Sequence, residues 1–157
     1  MNIRCAIAAL VLSLSLVAGL HAQTCAAPIE MTSQFMLNGP HTDTTCSHPN
    51  TLQYLANGAI SVSGEQMIYH IVLGSLYAGG SITVTPAANR EMSLFVCRGP
   101  CSTYSTCIAA VDNGLGVATT AQIPAGVGDY FVVVASTPVT TPSCGSYTLS
   151  TAFFLGD

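Results

Sequence analysis

Gln66-Met67-Ile68-Tyr69-His70-Ile71-Val72-Leu73 is the stretch on which the fold turns. It is rich in β-branched and aromatic side chains, which suit a pleated strand. Met67, Tyr69, Ile71 and Leu73 fall on one face and Ile68, His70 and Val72 on the other. Both faces are largely apolar, so each is expected to be at least partly covered. On either side of this strand the chain repeats one pattern, short apolar or alternating runs broken by turn residues at intervals of roughly 8 to 14 residues. The remaining runs are 52–56, 59–63, 81–85, 92–97, 106–111, 117–123, 129–136 and 146–154. Between them stand Gly79 with Gly80, Gly99 with Pro100, Asp112-Asn113-Gly114 as a hairpin signal, and two Pro- and Gly-containing segments at 124–128 and 138–145. No run sustains a helical period. The expectation is an all-β chain, an antiparallel β-sandwich of jelly-roll or Greek-key type.

Residues 1–22 read differently. Arg4 precedes an apolar run from Cys5 to about Val17 and a small-residue exit at Ala18, Gly19 and Ala22, the layout of a secretory signal of the bacterial Sec type. Cleavage is expected after Ala22, or alternatively after Gly19. Ser13, Ser15 and Gly19 interrupt the run too early for a retained anchor helix, and no later segment is long enough, so no span is expected in the mature chain. A lipoprotein would need its cysteine directly after the small-residue box, whereas Cys25 follows Gln23 and Thr24. The destination is therefore the periplasm or the cell exterior. Residues 23–50, punctuated by Pro28, Asn38-Gly39-Pro40 and Pro49, form an N-terminal strap in which only Gln34 to Leu37 suits a short edge strand. The sandwich then occupies 51–157.

Loss of the leader removes Cys5 and leaves Cys25, Cys46, Cys97, Cys101, Cys107 and Cys144. An even set in an exported chain reads as disulfides before metal. Six cysteines allow fifteen pairings. Proximity and strand positions favour Cys25 with Cys46, Cys97 with Cys107, and Cys101 with Cys144; the main competitor joins Cys101 to Cys107 and Cys97 to Cys144.

Composition narrows function by exclusion. Only 6% of residues are charged, there is no lysine or tryptophan, and mean hydropathy is +0.54. Beyond the leader, Arg90 and Arg98 stand against seven carboxylates, a net charge of −5. Two arginines make no nucleic-acid stripe, and the dispersed acidic excess gives no attraction to an anionic membrane. Seventeen threonines and fifteen serines supply solvated groups on outer faces instead, although few charges guard the sheet edges.

Three stretches together resemble the bacterial pre-peptidase C-terminal domain, a small secreted β-sandwich appended to exported proteases and other extracellular enzymes. Ser63-Gly64-Glu65-Gln66-Met67-Ile68-Tyr69-His70-Ile71 is similar to its first tyrosine-bearing strand, Gly128-Asp129-Tyr130-Phe131-Val132-Val133-Val134 to its glycine-to-tyrosine strand, and Gly145-Ser146-Tyr147-Thr148-Leu149 to its closing strand. Glu91-Met92-Ser93-Leu94-Phe95-Val96 occupies the place of a strand that alternates aspartate with leucine. The resemblance implies a β-sandwich with an accessory role in secretion, attachment or substrate targeting. Glu91 and Ser93 replace the family's two aspartates, which argues against carrying over calcium binding, and six cysteines exceed the family's usual number.

No nucleophile elbow, H-E-x-x-H or phosphate loop is present. In the densest polar cluster, His41, Asp43, Cys46 and His48, the two imidazoles and the carboxylate suit zinc or copper, with Cys46 joining only if it is reduced; in an exporting compartment the cluster reads first as a disulfide loop with solvated histidines. His70 reads as a hydrogen-bonded or half-exposed sheet residue without a named partner. Arg90 beside Glu91 suits a local ion pair. Tyr77 and Tyr104 fall in expected turns, whereas Tyr54, Tyr69, Tyr130, Tyr147, Phe95 and Phe131 fall on strands and read as core. The expected activity is non-enzymatic: a binding or accessory module without cofactor. Its partner is an exported protein or extracellular polymer, met through loops 98–105, with Arg98 and Tyr104, and 137–143. A structural subunit assembling through sheet edges is the alternative, and a small metalloprotein on His41, Asp43 and His48 a third.

Overall fold

A computed structural model of the chain describes residues 24–32, 39–112, 114–137 and 144–156, with 109–112 described by backbone alone. Eleven strands lie among these residues: β1 (Ile29–Glu30), β2 (His41–Thr44), β3 (Tyr54–Leu55), β4 (Ile60–Ser61), β5 (Gln66–Leu73), β6 (Tyr77–Pro86), β7 (Met92–Arg98), β8 (Thr106–Asp112), β9 (Thr119–Ile123), β10 (Gly128–Ser136) and β11 (Ser146–Leu155). They form a five-stranded sheet in the order β1-β5-β10-β7-β8, a four-stranded sheet in the order β2-β11-β6-β9, and a ribbon of β3 with β4. Every pairing is antiparallel except the short parallel one between β1 and β5. The expected sandwich is present. No described helix is long and apolar enough to cross a membrane.

The alternation of β5 explains both layers of the core. Met67, Tyr69, Ile71 and Leu73 enter the space between the sheets, where they meet Tyr130, Val132 and Val134 of β10, Ile82 and Val84 of β6, and Leu149 of β11. On the opposite face Ile68 joins Phe95, Phe131 and Val133 beneath Leu52, Leu55 and Val62 from the β3–β4 segment. Each large side chain so buried contributes about 1.5–3 kcal/mol relative to exposure. Gln66 fastens this second layer: its side-chain nitrogen donates to the Leu52 carbonyl at 2.6 Å and its oxygen accepts from the Leu52 amide at 3.1 Å. Beyond Ile68 the cover stops, leaving His70 half-buried and Val72 exposed.

Several expectations are corrected by the way the two sheets exchange the chain. Asp112-Asn113-Gly114 does not close a hairpin, because β8 lies at the edge of one sheet and β9, the next strand, at the edge of the other. Asn113 itself lies outside the described residues, as do Gln34 to Leu37 and 138–143 of the second expected contact loop. The strap is not tied by its own disulfide; instead its described residues supply β1 to one sheet and β2 to the other. Tyr77 begins β6 rather than sitting in a turn, packing edge-on against Phe153 with ring centroids 5.9 Å apart. Tyr54, expected in the core, is 50% exposed because the ribbon turns that face to solvent.

The disulfides are Cys25–Cys101, Cys46–Cys144 and Cys97–Cys107. The last agrees with expectation, whereas Cys25–Cys46 and Cys101–Cys144 are replaced. Register is the reason. β2 pairs antiparallel with β11 so that Thr44 faces Ser146; two residues after Thr44 and two before Ser146, Cys46 and Cys144 fall opposite one another, with Cα atoms 4.8 Å apart. Cys97 faces Cys107 across β7 and β8 in the same manner. Cys25, just before β1, is left to meet Cys101 in the loop after β7.

Candidate functional site

Loop 99–105 joins β7 to β8 and is held at many points. Cys97–Cys107 closes its base, and Cys101 ties its middle to Cys25. The Gly99 amide donates to the Asp129 carbonyl at 2.9 Å, and the Asn57 amide donates to the Thr103 carbonyl at 2.9 Å. Within the loop, Ser105 donates its hydroxyl to the Pro100 carbonyl, and the Tyr104 amide donates to the Ser102 hydroxyl at 3.3 Å. Gly99 adopts φ +90°, which favours glycine because a side chain there meets its own backbone. Tyr104 stands at the tip with 78% of its surface exposed. Arg98, at the base, donates from Nη2 to the Tyr130 hydroxyl at 2.8 Å, with its guanidinium carbon 5.3 Å from that ring's centre.

Beside the loop lies a shallow pocket of about 250 Å³, lined by Cys25, Pro28, Pro100 and Phe131 and carrying three titratable groups. His70 Nδ1 lies 3.0 and 2.8 Å from the two carboxylate oxygens of Glu30, and His70 Nε2 lies 2.8 Å from Asp129 Oδ1. Partial burial pulls the His70 pKa down, but the hydrogen bonds to Glu30 and then Asp129, with their negative charges, outweigh it and raise the pKa above 6.5. The sequence alone gives His70 no partners because they stand 40 and 59 residues away along the chain. One signal was legible in principle. Asp129 immediately follows the glycine of the Gly128-Asp129-Tyr130 motif, and that motif has a steric cause, since a Cβ on Gly128 would fall on the Tyr130 ring.

In the strap's polar cluster Asp43 and Cys46 are each engaged elsewhere. Asp43 on β2 accepts from the Tyr69 hydroxyl at 3.2 Å through one oxygen and from the Thr44 amide at 2.8 Å through the other. The Tyr69 and Tyr147 hydroxyls lie 2.5 Å apart and share a hydrogen bond. Burial, the largest cause in each case, raises both tyrosine pKa values, and the neighbouring Asp43 charge adds to the rise. Cys46 is bonded to Cys144, so it offers no thiolate. His48 follows on a turn, its amide donating to the Thr45 carbonyl at 3.2 Å. Among the described residues no group of three or more His, Cys, Asp or Glu converges in a metal-holding arrangement.

Fold and bridges together define a disulfide-stapled antiparallel β-sandwich. No family model and no curated protein matches the chain. Two solved structures are similar to it. One is the pre-peptidase C-terminal domain of a collagenase from Bacillus anthracis, 14% identical, with a TM-score of 0.43 over 72% of this chain and 87% of that one. The other is PliG from Aeromonas hydrophila, a periplasmic inhibitor of g-type lysozyme, 14% identical, with a TM-score of 0.44 over 81% of this chain and 96% of that one. The first belongs to the family that the strand motifs resemble. At this identity neither carries a ligand, a partner or a site over to this chain.

Proposed function

We propose that the protein is an exported, non-enzymatic recognition module that engages another exported protein or an extracellular polymer through the face formed by loop 99–105. The observation that carries this reading is a solvent-facing Tyr104 on a loop pinned by two disulfides and by backbone hydrogen bonds. A loop already ordered loses little conformational freedom on binding, and a tyrosine presents apolar area with a polar tip at small entropic cost. Export is supported by the six paired cysteines, which persist in oxidising compartments. Immobilised oxidised protein, challenged with concentrated culture fluid and periplasmic extract of its source organism, should retain a defined protein or polymer. The same resin carrying Tyr104→Ala should lose it. Retention of nothing, or equal retention by the variant, would overturn the proposal.

A self-assembling surface subunit is the second reading. It is favoured by the edge strands β8 and β9, in which Asp112 is the single charged residue. Size-exclusion chromatography separates the two. A monomer at high concentration removes self-assembly and leaves the module.

A further inference from the structure

We propose that His70, held between Glu30 on β1 and Asp129 on β10, is a proton-operated latch that fastens the N-terminal strap to the five-stranded sheet in acid and lets it open as the medium turns alkaline. With both carboxylates ionised, the geometry fits a charged ring. Both imidazole nitrogens face carboxylate oxygens at 2.8 Å, so both must donate, and only the imidazolium has two N–H groups. On loss of one proton, one nitrogen turns a lone pair toward a carboxylate. Two negative groups then flank a neutral ring.

The weaker attachment gives way. Asp129 sits in β10, which is hydrogen-bonded along both sides, whereas Glu30 belongs to a two-residue strand. Apart from the latch, β1 is fastened among others by its short parallel register with Tyr69 and His70, by Ile29 packed against the core, by the Met31 amide donating to the His70 carbonyl at 2.8 Å, by the Met31 side chain buried to 3%, and by the Cys25–Cys101 bridge. The bridge keeps the strap attached when the latch opens. Opening therefore exposes the pocket floor at Phe131 and the slot of Met31 without freeing the segment.

No second described charge competes for the ring. On its own strand the same face carries Ile68 and Val72; on β10 it carries Phe131 beside Asp129; on β1 it carries Glu30. The loop after β7 brings Gly99, Pro100 and disulfide-bonded Cys101 to the pocket, and the Arg98 guanidinium is engaged with Tyr130. The direction of the effect follows from the raised pKa. A histidine whose folded pKa exceeds its unfolded value of 6.5 contributes stability that is complete below 6.5 and is lost as pH rises through the folded value.

Amide hydrogen exchange of the oxidised full chain, read at Met31 across a pH series and corrected for intrinsic exchange, tests the latch, alongside NMR titration of the His70 ring. Met31 protection should fall about two- to fivefold across the His70 titration, the size of a partly exposed ion pair. In His70→Gln the pH-dependent step should vanish, and in Glu30→Gln and Asp129→Asn the ring pKa should drop below that of the native chain. Glu30→Gln keeps the strand sequence otherwise intact, so the step can be read even if His70→Gln folds poorly. Protection that ignores the His70 titration, or a ring pKa at or below the ordinary histidine value, would overturn the proposal.

Discussion

Replacing Cys46 and Cys144 together by alanine removes the bridge that register alone predicts. It closes 98 residues of chain, for which loop entropy gives a stabilisation of about 4.7 kcal/mol. Cys25–Cys101 interleaves with it. In the unfolded chain the shortest covalent path between residues 46 and 144 then runs through that second bridge and is about two-thirds as long, which lowers the figure to about 4.3 kcal/mol. The folded state should change little, because the Thr45 amide still donates to the Gly145 carbonyl at 3.0 Å and the Gly145 amide to the Thr45 hydroxyl at 3.1 Å. Urea unfolding followed by far-ultraviolet circular dichroism, without reductant, should show a loss of about 4 kcal/mol and a steeper denaturant dependence, since the unfolded chain expands further. Against a domain stability of about 5–15 kcal/mol the variant should be marginal. Tryptic cleavage after Arg90 and Arg98 in denaturant checks the pairing itself. With the observed bridges, the fragment ending at Arg90, fragment 91–98 and the fragment beginning at Gly99 stay joined until reductant is added. A loss below about 2 kcal/mol, or release of the first fragment before reduction, would refute the reasoning.

Tyr69→Phe removes the hydroxyl that joins Tyr147 to Asp43 and should cost about 1–3 kcal/mol in urea unfolding. Tyr69→Phe with Tyr147→Phe should cost less than the two single changes added, because the pair shares one hydrogen bond. Both tyrosines hold their protons more tightly folded than unfolded, so their contribution is complete below pH 10 and is lost above it; spectrophotometric titration should show them ionising together with alkaline loss of circular dichroism. Gly64→Ala places a Cβ against the Ser136 carbonyl oxygen at φ +83° and should cost more than about 2 kcal/mol. Gly58→Ala, at φ +85° in open space, should cost about 1–2 kcal/mol, as the conformational penalty alone. Equal losses in the two glycine variants would show that the contact at Ser136 does not matter.

The strands were legible where local pattern and tertiary environment agree. The alternation in 66–73 and the continuous apolar run of Phe131 to Val134 each match the burial they meet, because inward and outward positions are separated by a period of two wherever a strand lies. Ile29–Glu30 and His41–Thr44 were not legible as strands. They are short, and β2 is polar; both exist because a longer neighbour offers unpaired backbone groups. Tyr54 misled for a related reason: an aromatic residue on a two-residue strand says little about which face of the ribbon meets the sheet. The hairpin signal at Asp112-Asn113-Gly114 could not say whether the chain returns to its own sheet or crosses to the other, and it crosses.

By itself the sequence determined the strand periodicity, the low charge and an even set of cysteines from Cys25 onward, whereas Gly79 and Gly80, which read as a turn, lie inside β6. Tertiary structure alone decided how Cys25, Cys46, Cys101 and Cys144 pair, which partners His70 meets and where Asp43 points. Those depend on register and sheet order, and strands far apart in the chain acquire a common register only when their inward faces are buried together. The paired cysteines and the His70 carboxylates are thus consequences of the same packing that places Met67, Tyr69, Ile71 and Leu73 in the core.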